Sequence, residues 1–169
     1  ARERELNMHP VLPAFSGHVP AELASIFPKA KITKLAPWDG YAEQYSCSFL
    51  DPMDPLFTQI QRRFIEIEDS VYGTDHVYGI DLFNEVTPPS YAPEYLSRVA
   101  KQVYASLANA DPQAIWLQMT WLFYYRQKDW TNDRIKAYLT AYPKNRSLLL
   151  DYYCDMQEMW KSTDKFFGV

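Results

Sequence analysis

Apolar residues along the chain fall into short continuous runs that alternate with stretches of helical spacing. The run Pro10-Val11-Leu12-Pro13-Ala14-Phe15 is too rich in proline for a helix interior and predicts a strand ending at Phe15, followed by a turn at Gly17-His18. Residues 20–27 predict a short helix with Pro20 at its first position. Residues 28–52 form a long connection carrying Trp38, Tyr41, Tyr45, Cys47 and Phe49; so long a loop is functional or holds small elements of its own. Asp54-Pro55 suits an N-cap and first helical position. Leu56, Phe57, Ile60, Phe64, Ile67 and Val71 then recur at helical spacing up to Gly73. Residues 76–82 predict a second strand running into Phe83-Asn84-Glu85. After the Pro88-Pro89-Ser90 breaker, residues 92–108 predict a helix with Tyr95, Val99, Val103, Tyr104 and Leu107 on its apolar side. Residues 114–119 predict a third strand ending near Thr120-Trp121, residues 133–141 a helix capped by Thr131, and residues 147–150 a fourth strand ending at Asp151-Tyr152-Tyr153.

Strands alternating with helices imply βαβ units and a parallel α/β sheet, and continuous apolar strands fit a sheet covered on both faces. Two parallel architectures compete, the open doubly wound sheet and the (β/α)₈ barrel. No G-x-G-x-x-G or G-x-x-x-x-G-K follows a strand, which removes support from the nucleotide-binding version. A full barrel needs about 250 residues, so four strands predict a partial TIM-like barrel of about half that size. The expected organisation is one piece, residues 1–169, from the middle of such a catalytic domain. Neither Ala1-Arg2-Glu3-Arg4-Glu5-Leu6, which resembles the last turn of a helix, nor Phe166-Phe167-Gly168-Val169 reads as a natural end. The bare sheet edges and helix faces of such a piece predict poor solubility.

Charge narrows the function. The 169 residues carry a net charge of −4, which disfavours nucleic acid as a partner, since a phosphate-binding face must be basic. No apolar run reaches the ~20 residues of a membrane span. Cys47 and Cys154 lack metal-ligand spacing and are expected to be buried thiols; the scattered His and Cys imply no metal, and nothing implies a cofactor. Aromatic content of 16% stands out, because Tyr and Trp rings can stack on the C–H faces of sugars, or simply fill the core.

In a (β/α)₈ barrel the chemistry sits at the carboxyl ends of strands. Glu85 falls at such an end. A carboxyl group partly desolvated there has a raised pKa and can protonate a departing glycosidic oxygen; the plainer alternative is an interaction with the next helix N-terminus. Asn84 can hydrogen-bond a sugar substituent. Trp38 and Trp121 either stack on a pyranose ring or pack in the core. His18 either binds a hydroxyl or is a satisfied imidazole, and Asp151 can bind a hydroxyl. His76, at a strand start, reads as structural. Period-two alternation points Asp81 the same way as Phe83 and Glu85, where it would tune Glu85 or line the barrel.

Four segments carry a resemblance: residues 8–20 (MHPVLPAFSGHVP), 45–50 (YSCSFL), 73–90 (GTDHVYGIDLFNEVTPPS) and 116–121 (WLQMTW). Together they resemble the α-N-acetylglucosaminidases, family 89 of the glycoside hydrolases, over essentially the whole chain. The string at 150–155 (LDYYCD) is closer to bacterial members. The resemblance implies a retaining exo-hydrolase acting on glycans with a terminal α-linked N-acetylglucosamine. It places the general acid/base on Glu85, puts Asn84 in the substrate pocket, and has Trp38 and Trp121 shape that pocket. It further implies an exported parent protein and a nucleophilic Glu beyond Val169, so that the piece alone would be inactive. Three rival readings remain: a carbohydrate-binding protein without catalysis, an inverting hydrolase with Asp151 as base, and a structural segment with no site.

Overall fold

A computed structural model describes residues 2–38, 40–84 and 86–169; Ala1, Asp39 and Glu85 lie outside the described residues. The helical turn α1 (Arg2–Glu5) leads into β1 (Leu12–Pro13). Next come β2 (His18–Val19), α2 (Leu23–Ile26), β3 (Ile32–Lys34) and β4 (Ser48–Leu50). The remainder alternates: α3 (Pro55–Tyr72), β5 (Val77–Gly79), α4 (Pro93–Ala110), β6 (Ile115–Met119), α5 (Trp121–Tyr125), α6 (Asn132–Leu139), β7 (Ser147–Leu150) and α7 (Met159–Ser162).

Strands β1, β5, β6 and β7 form a four-stranded sheet in that order, every neighbouring pair parallel. Helix α3 packs beside α4, and α4 beside α6. This is the expected α/β arrangement, an unclosed segment of a barrel wall. Registered residues of parallel strands share a face, and the two faces here differ sharply. Tyr78 and Trp116, in register, are buried toward the helices with Gln118. On the other face Val11, Leu148 and Leu150 are 44%, 48% and 44% exposed. Replacing Leu148 and Leu150 by Lys is therefore expected to raise the soluble yield of residues 1–169 expressed alone, measured as the monomeric fraction in size-exclusion chromatography; unchanged aggregation would show that this face does not drive it.

A second sheet, β2-β4-β3, is antiparallel and was not foreseen. The predicted turn at Gly17-His18 is instead the entry to β2, where His18 pairs with Phe49. Gly17 has φ +89°, and a Cβ there would lie 2.7 Å from the Phe49 ring, so only glycine fits. The helix expected over residues 20–27 contracts to Leu23–Ile26, leaving Pro20 outside it. The long 28–52 connection does hold elements of its own, β3, β4 and a 3₁₀ turn at Glu43–Tyr45.

Helix α3 begins as expected. Asp54 Oδ1 accepts from Leu56 N at 2.9 Å, and its Oδ2 accepts from Lys31 N at 2.8 Å, fastening the small sheet's connection to the helix start. The buried stripe, however, is Phe57, Gln61 and Ile65, while Phe64, Ile67 and Val71 face outward. Gln61 turns inward because its Oε1 accepts from Phe15 N at 2.8 Å, where β1 has run out of ladder partners. Both cysteines are free and exposed, against the expectation of buried thiols; Cys47 immediately precedes β4, and Cys154 lies in the irregular segment after β7. No helix among the described residues is long and apolar enough to cross a membrane.

At the amino-terminal end of β5 a polar group ties the sheet to the end of α4. Asp111 Oδ2 accepts from His76 Nδ1 at 2.7 Å and from Tyr78 Oη at 2.8 Å, and Asp111 Oδ1 accepts from Gln113 N at 2.9 Å. His76 is thus structural, as expected. Burial pushes the Asp111 carboxyl up, but the hydrogen bonds from His76, Gln113 and Tyr78 outweigh it and hold the carboxyl below its ordinary range. A lowered folded-state pKa means stability that is present above the unfolded value and lost as pH falls through the folded one. Asp111→Ala is expected to cost about 1–3 kcal/mol at neutral pH, since it removes the acceptor shared by the buried Tyr78 hydroxyl and the half-buried His76 ring. In urea unfolding the gap to the parent protein should narrow below about pH 4, where the unfolded carboxyl protonates.

Candidate functional site

The carboxyl ends of β5, β6 and β7 lie side by side, and the polar and aromatic residues that follow them share one end of the sheet. Strand β5 stops at Gly79, with one further ladder bond from Ile80 N to Leu117 O at 3.2 Å. Residues 80–84 then leave the sheet, and side chains satisfy what the ladder no longer does. Trp116 Nε1 donates to Ile80 O at 2.8 Å, Gln118 Nε2 to Asp81 Oδ1 at 3.3 Å, and His18 Nε2 to Leu82 O at 2.9 Å. Gln118 is itself buried; its Nε2 also donates to Met119 O at 2.7 Å, and its Oε1 accepts from Tyr138 Oη at 3.3 Å. Burial above all, then the Tyr142 and Asp81 charges, raises the Tyr138 hydroxyl well above its ordinary range, so it remains a donor.

Leu82 and Phe83, neighbours in sequence, are both fully buried, and Phe83 packs against Phe49 at 5.6 Å and Tyr138 at 6.3 Å. Strict period-two alternation therefore ends with β5; Phe83 enters the core against Tyr138, and Asp81 accepts from the buried Gln118, which is itself bonded to Tyr138. Asn84 follows, half-buried, with a buried Oδ1 that accepts no hydrogen bond among the described residues. Glu85 is outside the described residues.

At the end of β6, Thr120 N donates to Leu150 O at 3.0 Å and Thr120 Oγ1 to Asp151 Oδ1 at 2.9 Å. Asp151 is thereby held at the end of β7 with its Oδ2 buried and without a hydrogen-bond partner among the described residues. Trp121 opens α5 instead of merely ending a strand, and lies among Tyr124 (5.3 Å), Tyr125 (5.8 Å, 23° between planes) and Tyr153 (5.2 Å, 79°). Sequence reasoning passed over Tyr124 and Tyr125; their i+3 and i+4 spacing from Trp121 was the available signal. Trp38 belongs to a second aromatic group, in the loop between β3 and β4. It is 45% exposed and stacks on Tyr41 at 5.5 Å and 11°, with Tyr45 completing a shallow hollow of about 390 Å³. The structure thus brings Asn84, Asp151 and Trp121 to neighbouring strand ends, joins His18 to the β5 end from the small sheet, and sets Trp38 on the loop beyond that sheet.

A parallel wall with its polar groups gathered at the strand carboxyl ends is the build of a TIM-barrel enzyme, and comparison with known proteins specifies the class. Residues 1–169 match the α-N-acetylglucosaminidase (NAGLU) TIM-barrel domain. Human α-N-acetylglucosaminidase is 41% identical over 166 residues, which is 98% of this chain and 22% of that protein. A family 89 glycoside hydrolase from Clostridium perfringens, solved with 2-acetamido-1,2-dideoxynojirmycin, superposes with a TM-score of 0.77 at 20% identity, over 95% of this chain and 17% of that one. A form from the same organism with two glutamates replaced by glutamine, solved with its substrate GlcNAc-α-1,4-galactose, gives 0.76 at 18% identity, with the same coverage. The chain belongs to the α-N-acetylglucosaminidase family of glycoside hydrolases. It spans about a fifth of the length of these relatives.

Proposed function

We propose that the protein containing this chain is a retaining exo-glycosidase that releases terminal α-linked N-acetylglucosamine, with Glu85 as general acid/base. The observation that supports this reading is the family match across residues 1–169, combined with the segment 80–84 that leads from the carboxyl end of β5 to Asn84, next to Glu85 in the sequence. In the first step Glu85 gives its proton to the glycosidic oxygen as a second carboxylate attacks the anomeric carbon. In the second step Glu85 takes a proton from the water that releases the sugar. The second carboxylate is supplied from outside residues 1–169. The double Glu→Gln form of the Clostridium relative bound to its substrate supports a mechanism of two glutamates.

Asn84 Oδ1 and Asp151 Oδ2, buried and without hydrogen-bond partners among the described residues, are the acceptors offered to N–H and O–H groups of the sugar. In this reading Trp121, with Tyr153 beside it, offers a ring face to the pyranose, and Trp38, stacked on Tyr41 in the loop between β3 and β4, is a further aromatic wall. The inverting alternative would make Asp151 the base, because its Oδ1 is held by Thr120 while Oδ2 remains available. NMR of the first sugar released by the intact protein from an aryl α-N-acetylglucosaminide separates the two. The α anomer is expected, and the β anomer would overturn retention in favour of Asp151. A carbohydrate-binding protein would release neither.

A further inference from the structure

We infer that His18 is a positioning residue for the acid/base carboxyl, a role that rests on the reading of Glu85 above. The segment between the end of β5 and Asn84 has left its ladder, yet three side chains from two other strands hold three successive residues of it: Trp116 at Ile80, Gln118 at Asp81 and His18 at Leu82. Of the three, His18 alone comes from outside the parallel sheet, and it grips the carbonyl nearest to Asn84-Glu85. Its aim is built in. The pairing of His18 with Phe49 places it on β2, its ring stands edge-on to the Phe49 ring at 5.8 Å and 68°, and Gly17 provides the only backbone that lets Phe49 come so close. With Nε2–H given to a backbone carbonyl, His18 acts on the substrate through the strand end and not by binding a sugar hydroxyl. A general acid contributes only when its proton lies in line with the leaving oxygen, and misplacement by about 1 Å costs on the order of 100-fold.

The test compares two aglycones in the intact protein. An acid is needed to expel a sugar aglycone and hardly needed for 2,4-dinitrophenolate. His18→Phe keeps a ring against Phe49 and loses the donor. It is expected to lower kcat on GlcNAc-α-1,4-galactose by about 10–100-fold, with KM and the rate of the initial dinitrophenolate burst each changed by less than about 3-fold. His18→Gln returns an N–H donor at similar reach and should restore most of kcat. Should His18→Phe fail to fold, His18→Asn, a shorter amide, takes its place and should fall below His18→Gln on the sugar aglycone alone. Equal losses on both aglycones, or no loss, would overturn the inference. Glu85→Gln is run alongside. If it shows the aglycone dependence and the His18 variants do not, only the positioning role falls; if Glu85→Gln lacks it, the reading of Glu85 fails first.

Discussion

Glu85→Gln in the intact protein is expected to lower kcat on a glycan substrate by about 10²–10⁴-fold, the range that a positioned general acid/base supplies. Glutamine keeps the size and hydrogen-bonding reach of the carboxyl group but has no acidic proton to give, so KM should move little. The same substitution should matter far less in the first step when the leaving group is a dinitrophenolate, because that anion departs without protonation. The second step still lacks its base, so the glycosyl-enzyme should accumulate and turnover should show a burst followed by a slow phase. Stopped-flow release of the phenolate reads both. A uniform small loss on every aglycone, with no burst, would assign Glu85 a structural role at the start of the following segment.

The largest effect on stability is expected at Trp116. The side chain is fully buried, stacks on Tyr142 at 4.7 Å and 22°, meets Tyr138 edge-on at 5.9 Å, and donates to Ile80 O at 2.8 Å. It therefore packs the helices onto the sheet and holds the strand end at the same time. Trp116→Ala should cost about 3–5 kcal/mol, the usual range for emptying a large aromatic site in a core. Trp116→Phe separates the two contributions: it keeps a ring against Tyr142 and leaves Ile80 O without its donor, for about 1–3 kcal/mol. Urea unfolding followed by circular dichroism gives both numbers. A Trp116→Phe variant as damaged as Trp116→Ala would mean that the indole shape, not its N–H, dominates. A Trp116→Ala cost below about 1 kcal/mol would contradict the core described here.

These two sites also mark how far the sequence could be read. The parallel sheet was legible because each of its strands is a continuous apolar run separated by helix-length segments, and the residues beyond those runs included Asn84, Trp121 and Asp151. Local periodicity carries no long-range partner, and the misreadings follow from that. The small antiparallel sheet joins strands of two or three residues, too short for a pattern of their own, so Gly17-His18 read as a turn. In α3 the apolar spacing ran on through Phe64, Ile67 and Val71 and left out Gln61, which turns inward because the amide of Phe15 donates to it. Asp81 was extrapolated along a strand that ends at Gly79. The donors on residues 80–82 come from positions 36, 37 and 64 residues away, and no spacing rule reaches that far.

The intact protein with Glu85→Ala, supplied with an activated aryl α-N-acetylglucosaminide and sodium azide, gives the sharpest single reading of the acid/base assignment. Azide needs no base to attack the anomeric carbon, so it should displace the second carboxylate, restore turnover and leave an α-linked N-acetylglucosaminyl azide as product. Turnover indifferent to azide, with Glu85→Ala as active as the parent on a sugar aglycone, would show that the proton comes from another group.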